Sequence, residues 1–168
     1  MKNVRIQRLC QTALFAATIY VFTAYLHVPS FNGYTHVGDG FLYLAASALP
    51  VGYAAAAGAI GAGLADLLSG YGIWAPATLI IKAVTACFFT SKAPTFLCKR
   101  NYLALIPSLL LCAGGYYFYE SLITQNFIAP LAGISGYITQ VVLSSLVYLI
   151  LGKALDKASL KPRLVSQA

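Results

Sequence analysis

Four charged side chains interrupt otherwise apolar stretches of this chain: Asp39, Asp66, Lys82 and Glu120. Ionised groups are costly inside a bilayer, so they turn toward a protein interior and mark either a site or a pairing. In the helix layout set by the apolar runs all four fall in one half of the membrane, with His27 and His36 close by. That distribution describes one polar pocket opening outward, not a continuous path across.

Spacing extends the pocket. Trp74, Thr78, Lys82 and Thr85 fall on one stripe of a helix, Tyr116 and Glu120 lie one turn apart with Tyr117 adjacent, and Gly133, Tyr137, Gln140 and Ser144 align on a third helix. Such stripes suit recognition of a planar, polar small molecule: aromatic faces stack on a ring, while Glu, Lys and Gln fix its orientation. If Lys82 pairs with Asp39 or Asp66, the pocket keeps a net negative charge. A neutral or cationic ring compound, held by an amine or ring N–H on Glu120, then fits better than a phosphate. Tyr116 and Tyr137 would stack and Trp74 would form the rim.

Plainer roles stand beside these. Asp39, Asp66 and Lys82 either contact ligand or only hold helices together. Tyr116, Tyr117 and Tyr119 could form an interfacial aromatic belt, Gln140 could join helices, and His36 could be a surface loop residue. Glu120 is harder to dismiss, because no basic residue lies near it in sequence. No nucleotide-binding, hydrolase or zinc-protease motif occurs, so neither catalytic nor metal-binding residues are expected. The cysteines Cys10, Cys87, Cys98 and Cys112 have no metal-ligand spacing and read as small buried apolar residues.

The elements that position these side chains follow from composition. Hydrophobic residues make up 60% of the chain and charged residues 9%, against about 25% charged in soluble domains. An ordinary soluble domain is excluded. The basic residues form three stretches: Lys2, Arg5 and Arg8; Lys92, Lys99 and Arg100; Lys153, Lys157, Lys161 and Arg163. Short Lys/Arg-rich loops stay in the cytoplasm. All three stretches share one side only if the chain crosses six times, with a break at Pro50 dividing 41–69 into two short helices. The expectation is therefore an all-α integral membrane protein, one domain over 1–168. Its six helices are expected near 4–26, 39–49, 51–68, 74–90, 102–123 and 131–155, with both termini inside. Residues 27–38 and 124–130 are the longer outside loops. Helix 3 carries small residues at helical spacing (Gly58, Ala62 and Asp66; Gly61, Ala65 and Ser69), which suits a helix surrounded by others. Ala13 and Ala17, with Thr12 and Ala16 beside them, repeat the small-residue pattern on helix 1; it serves internal packing or a docking face for another membrane subunit.

Several segments resemble the substrate-binding S component of an energy-coupling factor (ECF) vitamin transporter. They are Ala13-xxx-Ala17, the run His36-Val37-Gly38-Asp39, and the block Ala65-Asp66-Leu67-Leu68-Ser69-Gly70-Tyr71 leading into Trp74-Ala75-Pro76 and Ile80-Ile81-Lys82. The likeness covers nearly the whole chain and points to the branch with riboflavin-, pyridoxine- and hydroxymethylpyrimidine-type members. It implies a membrane T subunit and two cytoplasmic ATPases as partners, with Ala13, Ala16 and Ala17 docking the T subunit. It implies a vitamin-like ligand: a pyridoxine-type, hydroxymethylpyrimidine-type or queuosine-type compound, or riboflavin. It also implies a subunit of a bacterial plasma membrane that topples to carry its pocket inward, with the loop between helices 1 and 2 as a lid. Two rival readings are a self-contained secondary transporter and a membrane assembly subunit that binds nothing.

Overall fold

The computed structural model describes residues 3–30 and 33–161. Lys2, Arg163 and positions 31 and 32 of the polar loop lie outside the described residues. The elements run α1 (Val4–Ala24), β1 (His27–Ser30), β2 (Gly33–His36), α2 (Gly38–Ala48), α3 (Val51–Leu68), α4 (Ala75–Phe88) and α5 (Lys99–Thr124), then a 3₁₀ turn (Ala129–Gly133) and α6 (Ile134–Lys157).

The break between α2 and α3 falls where the sequence places it. Leu49 is extended, as a residue before proline prefers, and Pro50 caps α3 with φ −54°. Pro76 sits in the first turn of α4, where its missing N–H costs nothing. Most helix ends lie close to the expected positions, but α5 begins at Lys99, three residues before position 102, taking part of the expected inside loop into the helix. The segment 27–38 is not a plain loop: β1 and β2 pair antiparallel, with His27 opposite His36 and Pro29 opposite Tyr34.

α3 lies between α1 and α4, and glycine permits the approach. A Cβ on Gly61 would stand 2.5 Å from the Ala16 carbonyl oxygen of α1. Ala16 therefore belongs to internal packing, while Ala13 and Ala17 face outward. This corrects the expectation that all three alanines form one docking face. α3 is not wholly surrounded either, since Leu64, Leu67 and Leu68 are exposed. α2 packs on α1 and α6, and α5 closes the bundle between α4 and α6.

The exterior is apolar. Leu14, Ile80, Leu110 and Ile150 all point outward. Among the described residues three helical stretches are long and apolar enough to cross a membrane: Val51–Leu68, Lys99–Thr124 and Ala129–Lys157. α2, with 11 residues, and α4, with 14, are shorter. At about 1.5 Å per residue neither alone matches a hydrocarbon core of about 30 Å. The cysteines also differ from expectation: Cys112 is buried, Cys98 half-buried, and Cys10 and Cys87 are exposed on the apolar exterior.

Candidate functional site

α2 opens directly beneath the hairpin, and this places Asp39 in the centre of the bundle. Gly38 makes the junction possible, because a Cβ there would overlap the Thr23 hydroxyl of α1 at 2.0 Å. Lys82, two turns into α4, reaches across to Asp39. Its Nζ lies 2.8 Å from Oδ1 and 2.9 Å from Oδ2. Gln140 of α6 donates from Nε2 to Asp39 Oδ2 at 2.8 Å. Both charges are almost fully buried, and the pair joins α2, α4 and α6: Oδ2 accepts two hydrogen bonds, while Oδ1 meets Lys82 only as an ion-pair contact. Lys82 Nζ also lies 5.4 Å from the centroid of the Tyr116 ring.

Above this pair is a small cavity of about 30 Å³, lined by Tyr34, His36, Asp66, Trp74, Thr78, Tyr116, Tyr137 and Gln140. Tyr116 and Tyr137 stack with centroids 5.1 Å apart and planes 19° apart. Trp74 stands edge-on to Tyr116 at 6.4 Å. Thr78 Oγ1 and Tyr116 Oη share a hydrogen bond of 2.8 Å, which fixes the ring. Asp66 is buried and accepts from the Tyr34 hydroxyl through Oδ1; its Oδ2 makes no hydrogen bond of good geometry among the described residues, although the Thr78 hydroxyl is a neighbouring donor. A buried carboxylate oxygen without a well-aligned donor is unfavourable and calls for an explanation.

The hairpin covers the cavity. Tyr34 packs against Tyr71 at 4.5 Å and His36 at 5.5 Å. Ser144 of α6 donates to the His36 carbonyl, and Thr35 donates to the Gly136 carbonyl, each at 3.4 Å. The His36 Nδ1 accepts from the Gly38 N–H at 3.1 Å. Burial pulls the His36 pKa down to about 4; Lys82 and His27 add to this, and the Asp39 carboxylate opposes it. Burial and the neighbouring Asp66 push the Tyr34 phenol well above its ordinary value, so it remains a donor.

Of the residues singled out in the sequence, His36, Asp66, Trp74, Thr78, Tyr116, Tyr137 and Gln140 line this cavity, and Asp39 and Lys82 form the ion pair beneath it. Two are placed differently. Glu120 is buried but is not among the lining residues; its Oε2 accepts from the Tyr137 hydroxyl at 3.3 Å, so it orients that ring from behind. Tyr117 turns away and donates to the Phe127 carbonyl at 3.0 Å, tying the end of α5 to the loop beyond it. Sequence reasoning missed Tyr34 and gave Tyr119 only as part of an aromatic belt; Tyr119 bonds the Ile73 carbonyl at 2.7 Å and flanks Trp74. An aromatic side chain carrying a hydroxyl, two residues before His36, was the available signal for Tyr34.

The arrangement can bind but carries no reactive grouping. Among the described residues no cluster of His, Cys, Asp and Glu could hold a metal ion. No curated protein matches the chain. A family model described as "ECF-type riboflavin transporter, S component" matches residues 3–157.

Proposed function

Because the chain belongs to the family of ECF-type riboflavin transporter S components, we propose that its outer cavity captures a small planar ring compound through the buried carboxylate of Asp66. Members of this family are substrate-binding subunits of vitamin-uptake transporters, not enzymes, and work with T and ATPase subunits. The chain is accordingly a multi-pass membrane protein.

One observation carries the ligand assignment: Asp66 Oδ2 is buried beside the stacked Tyr116 and Tyr137 and makes no hydrogen bond of good geometry among the described residues. A ring N–H or a cationic amine placed against the tyrosines would supply the missing donor. Asp39 is already matched by Lys82 and Gln140, so the carboxylate left to recognise a ligand is that of Asp66. A phosphate or carboxylate ligand would meet like charge there. Glu120 takes part indirectly, by orienting Tyr137.

The cavity has about the volume of one water molecule in the liquid. A ring compound therefore enters only when the hairpin lifts and Tyr34 releases Asp66. The pocket then closes over the ligand and is carried inward by toppling of the subunit within the ATP-driven complex. The chain crosses six times with both ends in the cytoplasm, which puts the described basic residues Arg5, Arg8, Lys92, Lys99, Arg100, Lys153, Lys157 and Lys161 on one side. Ala13 and Ala17 face outward to meet the T subunit. The ligand class is pyridoxine-type, hydroxymethylpyrimidine-type, queuosine-type or riboflavin, each of which offers a ring and polar N–H or hydroxyl groups.

Native mass spectrometry of the chain purified from cells grown in rich medium tests this reading. A co-purifying small molecule with an aromatic ring and an N–H donor or cationic nitrogen supports it. An anionic ligand at one-to-one stoichiometry would overturn the assignment to Asp66.

A further inference from the structure

A second and larger cavity, about 920 Å³, lies at the opposite end of the bundle from the hairpin. It is enclosed by the amino-terminal half of α1, the turn at Pro50, the end of α4 and the segment joining α4 to α5. Its volume is near the upper end of the range for small-molecule sites, about 300–1,000 Å³. Its floor is hydrocarbon, formed by Phe15, Leu44, Leu49, Phe89, Phe96 and Leu155. Water would find few partners on such a floor.

The rim carries charge of one sign. Arg8, Lys92 and Arg100 all line the opening, and no Asp or Glu is among its lining residues. The Nε of Arg8 is buried and lacks a hydrogen-bond partner among the described residues. Arg100 Nε donates to the Phe88 carbonyl at 3.4 Å, which holds its guanidinium at the edge. The wall between α4 and α5 is fixed in place. Asn101 Nδ2 donates to the carbonyls of Thr90 and Phe96 at 3.1 and 2.9 Å, and Asp156 accepts from the N–H groups of Phe96 and Leu97 at 2.7 and 3.0 Å. The apolar floor runs out to Leu14 and Val51, which are 68% and 53% exposed on the apolar exterior of the bundle. The occupant is therefore continuous with the bilayer on one side and anionic at its head.

We propose that this groove holds one anionic phospholipid of the cytoplasmic leaflet, with an acyl chain on the Leu and Phe floor and the phosphate among Arg8, Lys92 and Arg100. The leaflet follows from the orientation with both ends inside, since anionic lipid and basic juxtamembrane residues meet at the cytoplasmic face. The site is separate from the ligand cavity and does not depend on which vitamin is bound.

Native mass spectrometry of the full chain, equilibrated in micelles with equal amounts of phosphatidylglycerol and phosphatidylcholine, tests the proposal. The wild-type chain retains one phosphatidylglycerol in preference to phosphatidylcholine. The double variant Arg8→Gln/Arg100→Gln reduces that preference by roughly tenfold or more. Lys153→Gln/Lys157→Gln, which removes the same charge from α6, leaves the preference unchanged. Thermal unfolding reports whether each variant is folded; if the first is not, Lys92→Gln/Arg100→Gln takes its place. Equal loss in the two double variants would mean diffuse surface attraction and would overturn the site. Equal retention of the two lipids, or no retained lipid in the wild type, would overturn it as well. In the last case, protection of the Cys87 thiol by the T subunit in the assembled complex would assign the groove to protein docking.

Discussion

The hydroxyl of Tyr34, on the hairpin that covers the pocket, donates to Oδ1 of Asp66 on α3, the carboxylate whose other oxygen makes no hydrogen bond of good geometry among the described residues. The hairpin and the cavity wall are thus fastened to each other. A ligand that donates to Asp66 Oδ2 completes the carboxylate without competing for the Tyr34 bond once the lid has closed again. On the proposed function, the hairpin closes more firmly over an occupied pocket than over an empty one.

Replacing Tyr34 with Phe removes this fastening while keeping the ring. The Tyr34→Phe variant should release ligand faster by roughly tenfold or more, the equivalent of one hydrogen bond to a charged group, about 1.5 kcal/mol at the low end of its range. The association rate should change less. Stopped-flow binding with the purified chain measures both rates. An unchanged dissociation rate would separate the hairpin from ligand retention.

Lys82 and Asp39 should behave as a unit. Lys82→Met leaves a buried carboxylate without its cation, and removing one partner of a buried pair typically destabilises by about 3–5 kcal/mol. Adding Asp39→Asn should recover much of that loss, because Gln140 can still bond the amide. Thermal unfolding of the two variants in micelles gives the comparison. If the double variant is no more stable than Lys82→Met, the pair is not the source of the effect.

His36 should give the hairpin a pH-dependent stability. Its pKa falls from 6.5 unfolded to about 4 folded. The folded state thus favours the neutral imidazole, whose Nδ1 accepts from Gly38 N–H. The stability this contributes is complete above about pH 6.5 and declines as pH falls toward 4, by at most about 1.4 kcal/mol per pH unit. His36→Gln should flatten the slope of stability between pH 6.5 and 4.5, measured by thermal unfolding. An identical slope in the variant would place the titrating group elsewhere.

Topology has its own test. A single cysteine at position 99, in a background without the four native cysteines, should react with a membrane-impermeant thiol reagent only after cells are opened. Labelling of intact cells would contradict six crossings with both ends inside.

The helices were legible in the sequence because each is dominated by an apolar run, and the break at Pro50 separates α2 from α3. The stripes on α4 and α6 were legible from helical spacing: Thr78, Lys82 and Thr85 share one face of α4, Gln140 and Ser144 share one face of α6, and all five are buried. The ion pair was legible only as an option, since the choice between Asp39 and Asp66 depends on how α2 and α3 are rotated. Glu120 and Tyr137 show a different limit. Sequence spacing puts Glu120 on the inward face of α5, but which of two inward residues meets the cavity depends on the neighbouring helix, and Tyr137 stands between. Tyr34 was missed because its partner lies 32 residues away and the hairpin carries no periodic signal strong enough to orient it. Ala16 was grouped with Ala13 and Ala17 because small residues serve both inner and outer contacts, and spacing alone does not separate the two.

The central claim is that Asp66 recognises the ligand. Isothermal titration of the co-purified ligand into wild-type and Asp66→Asn chains, each emptied of ligand beforehand, tests it most directly. Asparagine keeps the size and can still accept from Tyr34, but it loses the charge. A charge-assisted hydrogen bond is worth about 1.5–3 kcal/mol, so the variant should bind tenfold or more weakly at unchanged one-to-one stoichiometry. Equal affinity in the two proteins, with Glu120→Gln weakening binding instead, would contradict the claim and return recognition to α5.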